Sequence, residues 1–594
     1  MMRRSLRVTA AAFAAVIFAG PLASQSIDLS PQTWPTGEYE RFLAAQNVVR
    51  TEAGVATGTK GAVTVAYNGI AARAGLEALN AGGNAIDAAA TAALTQVAVT
   101  AGAPISYFGI LSLVYYDAAS GKVYTMNAEW NTVRGETEPM SIPGSISLAS
   151  EAGMRGTAVS GRTALVGGFM KGIEAAQKRF GKLPFATVFQ PAIAIAERGM
   201  PVTTALADKF RFRGEDLSRL PATRAIFMKP DGSRYEAGET FKQPALAATL
   251  RAVASQGADY MYQGPWATKL VDAVQADGGR MTLEDLAAYE VIWDEPLVAP
   301  VGNGYTLYTN PMPNMGGTAM IEALLLAEAA GLGSAPHWTK SGATLKTALD
   351  ISQMFTLQYL PAATLNQMYP GIGFSPADRI APGRAAELWK RMQAGITPFR
   401  WKTPTPAIHS DDVVAIDEAG NIAAITQSIN CVDWGRTAIN VDGISIGDPA
   451  SFQQALIART RPGTRLMSPT ETGILFKDRV PVMGFASMGS GLHHRTFQAL
   501  LNVTRFGMTV DEAINTPDFL LPVNDTDGRL IARVPKGKFP AAVLQDTGYV
   551  FQEIDATGMR FGGEGLWVAI SRDPKTGMLR AASHNRNNSA AVAR

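Results

Sequence analysis

The stretch Ser410-Asp411-Asp412-Val413-Val414-Ala415-Ile416-Asp417-Glu418-Ala419-Gly420-Asn421-Ile422-Ala423-Ala424-Ile425-Thr426-Gln427-Ser428-Ile429-Asn430 decides how this chain is read. Two apolar runs, Val413–Ile416 and Ile422–Ile425, flank the polar, glycine-bearing Asp417–Asn421, which is the pattern of a β-hairpin. Immediately before it, residues 398–409 carry Pro398, Pro404 and Pro406 and read as a segment without regular structure.

Upstream, Ala62–Ala66 reads as a short buried strand and Ala71–Leu79 as an amphipathic helix stopped at Gly82-Gly83. Ile86–Thr100 is an alanine-rich helix, and small side chains at that density imply close packing. Ile110–Tyr116 and Val123–Met126 form a second hairpin around Asp117–Lys122. Helical periodicity covers Thr163–Phe180 and Phe185–Arg198. Thr282 and Asp285 form an acidic capping box, and the turn Pro311–Gly317 precedes a helix running to about Ala330. Residues 27–58 show no clear element. Strands and helices come in blocks rather than strict alternation, so packed mixed layers are expected instead of a doubly wound parallel sheet.

The chain has 594 residues, with 53 Lys plus Arg against 51 Asp plus Glu. That balance offers no electrostatic footprint for nucleic acid. Hydrophobic residues at 47% and a single cysteine, Cys431, exclude disordered and disulfide-framework classes. Arg3, Arg4 and Arg7 precede the apolar run Val8–Phe18 and the small residues after it. This is the layout of a signal peptide over residues 1–26, which implies a secreted or periplasmic protein. The run is too short for a bilayer span, and no membrane span is expected elsewhere.

His337, His409, His493, His494 and His584 show no metal-ligand spacing. Neither a nucleophile elbow nor a P-loop is present, and no metal or cofactor is expected. A secreted binding protein without catalysis remains open on these grounds.

Taken in order, several segments resemble the γ-glutamyltranspeptidase family of N-terminal-nucleophile hydrolases. They are Ala71–Ala90, Leu165–Phe169, Gly181–Val202, Met281–Tyr289, Pro311–Gly317, Val413–Asn430, Leu466–Thr470 and the tail around Ala582–Arg586. The resemblance implies an α/β (α+β) four-layer αββα sandwich with no separate domains. It also implies a precursor that cuts itself, here between His409 and Ser410, into a large subunit (27–409) and a small one (410–594) forming a heterodimer. Thr403 and Thr405 are rival cut sites. Ser410 takes the family's threonine position and keeps the hydroxyl. A free α-amine with pKa about 7.7–8.0 then sits beside the nucleophile it activates.

By the same resemblance, Ser428 and Asn430 support the nucleophile, and Gly489 and Ser490 supply backbone donors to the oxyanion. The substrate is a small-molecule amide, γ-glutamyl by default and a different acyl group in the alternative. The family's carboxylate-binding arginine falls on Glu129, where a like charge at about 4 Å costs roughly 4 kcal/mol at an effective dielectric near 20. Its amine-binding aspartate falls near Ser451, with Asp448 three residues earlier. Arg465 and Arg134 are the replacement carboxylate anchors, and Ser468 lies in the Leu466–Thr470 block. Trp130, Trp434 and Phe452 either line the pocket or belong to the core.

Overall fold

The computed structural model describes residues 27–48, 50–144, 159–355, 360–394, 410–489, 491–524, 530–555, 565–585 and 588–594. The expected signal peptide, the 398–409 segment with His409, Thr403 and Thr405, and Ser490 and Arg586 lie outside the described residues.

Fourteen strands build two seven-stranded sheets. The first half of the chain supplies β1 (Gly54–Gly58), β2 (Gly61–Val65), β3 (Ile110–Asp117), β4 (Lys122–Ala128), β5 (Ile292–Asp294), β6 (Leu297–Gly302) and β7 (Tyr305–Thr309). The second half supplies β8 (Ser410–Asp417), β9 (Ile422–Ser428), β10 (Glu471–Lys477), β11 (Val480–Met488), β12 (Leu566–Arg572), β13 (Leu579–Ser583) and β14 (Ala590–Ala593). One sheet runs β14-β2-β8-β9-β3-β4-β5 and the other β1-β13-β12-β11-β10-β7-β6.

Alternation along β8 shows how four layers arise. Val413 and Ala415 face a core shared with helices α1 (Gly69–Asn80) and α2 (Ala85–Val99). Val414 and Ile416 face a second core, where they meet Ile474, Ala486 and Val568 of the other sheet. That other sheet turns Leu475, Phe485 and Trp567 towards α3 (Met315–Ala329) and α4 (Leu492–Thr504). Both faces of the central strands are covered, so their sequence is continuously apolar rather than alternating. The result is the αββα sandwich that the resemblance implied.

Both expected hairpins form, with Ile416 opposite Ile422 in one and Asp117 opposite Lys122 in the other. The alanine-rich helix begins at Asn84, whose side chain caps Ile86 and Asp87 while Asp87 answers with a bond to the Asn84 N–H. Thr282 and Asp285 form their capping box. The helix expected from Thr163 starts only at Phe169. Before it, Val166 exchanges backbone bonds with Asn131, and a Cβ on Gly167 would meet the Phe108 carbonyl at 2.1 Å. Tertiary contact there overrides helical periodicity. Likewise Phe185–Phe189 is a 3-10 turn and only Gln190–Arg198 is α-helical. Residues 27–58, unassigned from sequence, contain a helix at Glu38–Ala45 and strand β1.

Candidate active site

Ser410 opens β8 and stands opposite Ser428, the last residue of β9. Its Oγ donates to Ser428 Oγ at 3.0 Å. Ser428 Oγ also accepts the Asn430 backbone N–H at 2.8 Å. A serine oxygen has two acceptor sites, and both are taken, which fixes the hydroxyl in front of Ser410. Asn430 reaches this position with φ 46°, a left-handed turn that asparagine tolerates. Its Oδ1 accepts the Trp130 indole N–H at 2.9 Å, so Trp130 is a wall of the site. Trp434 instead stacks on Phe210 at 5.4 Å and donates to the Ala101 carbonyl, as a core residue.

Because strand side chains alternate, Ser410 and Asp412 share the inter-sheet face with Val414 and Ile416. The apolar layer ends in a polar one there. Thr426 Oγ1 donates to Asp412 at 2.7 Å, Asn310 donates to Thr472 at 2.8 Å, and Ser112 and Thr472 hydroxyls lie 3.2 Å apart. Burial pushes the Asp412 carboxyl well above the usual carboxylate range, and Asp411, facing the helix side, is pushed up by burial and then by the Asp412 charge.

β11 leads to the proposed oxyanion turn. Gly489 follows Met488 with φ 89°, a conformation that favours glycine. Its carbonyl accepts the Leu492 N–H at 3.1 Å as α4 begins. Further into α4, His493 Nδ1 bonds Glu471 Oε1, while His494 is partly buried and its pKa falls to about 3 through loss of hydration and then the neighbouring His493. From sequence the two histidines were read only for metal-ligand spacing, which they lack, and nothing pointed to Glu471.

Glu129 is 0% exposed. Its Oε1 accepts Thr470 Oγ1 at 2.6 Å and Asn314 Nδ2 at 3.3 Å, and burial raises its pKa against the lowering effect of those bonds. Asn314 and Thr470 lay unnoticed inside two quoted motifs, the Pro311–Gly317 turn and the Leu466–Thr470 block. Ser468 is bound into the same corner through its backbone, with the Met315 N–H on its carbonyl at 2.7 Å. Asp448 Oδ2 accepts the Arg436 N–H at 2.8 Å, and its own N–H points to Cys431 Sγ at 3.4 Å, beside Asn430. Ser451 follows in a buried 3-10 turn that also holds Phe452.

Arg465 is already committed. Its Nε donates to Asn131 at 2.9 Å and its two NH groups to the Asn127 and Glu290 carbonyls at 2.6 Å each. With a further bond to Asn127 Oδ1, four of its five N–H donors are in use and the guanidinium is held in place. The Arg134 side chain is exposed, while its backbone N–H bonds Asp285. The structure thus joins Ser410, Ser428, Asn430 and Trp130 in one chain of hydrogen bonds, with Glu129 adjoining Trp130 in sequence.

A serine at the head of a central strand in an αββα sandwich is the architecture of N-terminal-nucleophile hydrolases. Residues 71–593 match the family model described as gamma-glutamyltranspeptidase, and the chain belongs to that family of enzymes. It is 25% identical over 572 residues to the glutathione hydrolase proenzyme of Bacillus subtilis (strain 168), covering 91% of this chain and 92% of that one. It is 29% identical over 479 residues to the acylase ACY 1 proenzyme of Pseudomonas sp. (strain V22), covering 78% and 82%. Among solved structures, cephalosporin acylase from Bacillus halodurans superposes with a TM-score of 0.71 at 22% identity, covering 91% of this chain and 97% of that one. No helix among the described residues is long and apolar enough to cross a membrane.

Proposed function

We propose that this chain is a self-processing amide hydrolase or acyltransferase whose nucleophile is Ser410. The observation that carries the reading is the 3.0 Å contact between Ser410 Oγ and a Ser428 hydroxyl fixed by the Asn430 N–H. In maturation, Ser410 Oγ attacks the His409 carbonyl carbon; the peptide C–N bond breaks, an ester forms and the Ser410 amine is freed. Water then hydrolyses the ester, leaving subunits 27–409 and 410–594. In turnover the freed amine takes the Ser410 hydroxyl proton as Oγ attacks the substrate amide. The backbone donors of Gly489 and Ser490 stabilise the oxyanion, a contribution typically of about 3 kcal/mol per donor. The leaving amine departs with a proton, and water or an amine resolves the acyl-enzyme. The relatives named glutathione hydrolase and acylase supply two acyl classes, γ-glutamyl and non-γ-glutamyl. Glu129 in the carboxylate-binding position favours the second. A cleaved signal over 1–26 would place the mature enzyme outside the cytoplasm.

Intact mass spectrometry of the purified wild type and Ser410→Ala tests the assignment. Two fragments, the smaller beginning at Ser410, with one uncut chain in the variant, are expected. An uncut wild type removes the catalytic reading, and a cut at Thr403 or Thr405 moves the nucleophile.

A further inference from the structure

Resting on the acyl-transfer reading of Ser410, we propose that the acyl pocket selects an acyl group with an ammonium head and no carboxylate beside it, and that Glu129 is the residue that reads it. Glu129 Oε2 has no hydrogen-bond partner, although the side chain is fully buried. Ser468 Oγ, in the same corner, faces the Glu129 carboxyl and helps to lower its pKa, yet no hydrogen bond of ordinary length satisfies it. Asp448 Oδ1, buried against the Cys431 thiol, and Ser451 Oγ are likewise left without a hydrogen bond of ordinary length, on either side of Pro449 and Ala450, and Ala450 packs in one apolar cluster with Trp130 and Leu466. Two of these four atoms are carboxylate oxygens, which only accept when ionised, and the hydroxyls accept as readily as they donate. Native proteins rarely leave such atoms unmatched, because a buried polar atom gives up its hydration and gains nothing in return. Their complement is a compact group rich in donors, and an ammonium offers three.

The charge count agrees. Arg465, the cation beside Glu129, has four of its five N–H donors on Asn127, Asn131 and Glu290. It offsets Glu129 through space without bonding Oε2. A substrate cation supplies the missing partner, whereas a substrate carboxylate meets Glu129 with the same sign.

The test compares four p-nitroanilides that differ only at the head: γ-aminobutanoyl, γ-glutamyl, glutaryl and butanoyl. The processed wild type is expected to favour γ-aminobutanoyl over butanoyl by about tenfold or more in kcat/KM, the value of one bond to a charged group. Glutaryl and γ-glutamyl should rank below γ-aminobutanoyl. Glu129→Gln keeps the shape and the acceptor for Thr470 and Asn314, yet should erase the preference for γ-aminobutanoyl over butanoyl, mainly through KM. A wild type that favours glutaryl or γ-glutamyl overturns the proposal, as does an unaltered ranking in Glu129→Gln. If none of the four is turned over, the Ser410 reading still rests on the fragment masses, and the head-group proposal passes to binding. Calorimetric binding of γ-aminobutanamide against glutaramate then decides the head-group proposal by itself, with tighter glutaramate binding overturning it.

Discussion

At the residue scale the site depends on the Ser428 hydroxyl, which accepts from both Ser410 Oγ and the Asn430 N–H. Ser428→Ala removes the group facing Ser410 Oγ and leaves the Asn430 N–H without its acceptor. The expected outcome is a kcat loss of about tenfold to a thousandfold, as for other positioning hydrogen bonds, with slowed maturation and little change in melting temperature. Single-turnover kinetics and fragment mass check both. His494 gives a pH signature. Its folded pKa of about 3 lies below the unfolded value of about 6.5, so the unfolded chain binds more protons between these limits. Its contribution is therefore intact above pH 6.5 and stability falls as the pH drops towards 3. His494→Phe should flatten that acid limb in urea titrations at a series of pH values. Ser410, Ser428 and Asn430 were singled out in sequence by the family resemblance, and the register of a local hairpin brings them together. The Glu129 corner was not, since its partners Asn314 and Thr470 come from 185 and 341 residues away.

At the element scale, β8 carries its function on one end and its stability on the other. Val413–Ile416 fill two cores, while Ser410, Asp411 and Asp412 lie in a polar end zone. Asp411 has a raised folded pKa, so the native state binds the extra proton and stability falls as pH climbs above the ordinary carboxyl value. Asp411→Asn keeps an acceptor for the Tyr67 N–H and should raise stability at pH 8 by about 1 kcal/mol, fading near pH 4. Thermal melts at the two pH values test this. The neighbouring strand is positioned by Gly109, whose added Cβ would lie 2.4 Å from the Ser428 carbonyl. Gly109→Ala should therefore displace the end of β9 and cut kcat/KM tenfold or more, about 1.4 kcal/mol or above in transition-state stabilisation. The hairpins and capped helices were readable because their signals are short-range. The delayed start of the helix at Phe169 was not, because a strand-like bridge to Asn131 displaces helical geometry there.

At the scale of the whole molecule, the two halves of the sequence share both sheets. β8 and β9 lie between β2 and β3, and β10–β13 lie between β7 and β1. After a cut before Ser410, neither piece could cover its strands alone. The processed fragments should co-elute as one particle in gel filtration and separate only in denaturant; free migration of either fragment in native buffer would contradict this interleaving. Layering was expected from the block pattern of strands and helices, but strand order was not, because it follows from pairings hundreds of residues apart.

β14 completes the sheet that carries Ser410 by pairing with β2, and the Arg594 carbonyl takes the Thr59 and Lys60 N–H groups. A strand made near the start of translation is thus sealed by residues 590–593. Without residues 590–593, β2, which lies directly beside β8, would become an open edge with unpaired N–H and C=O groups.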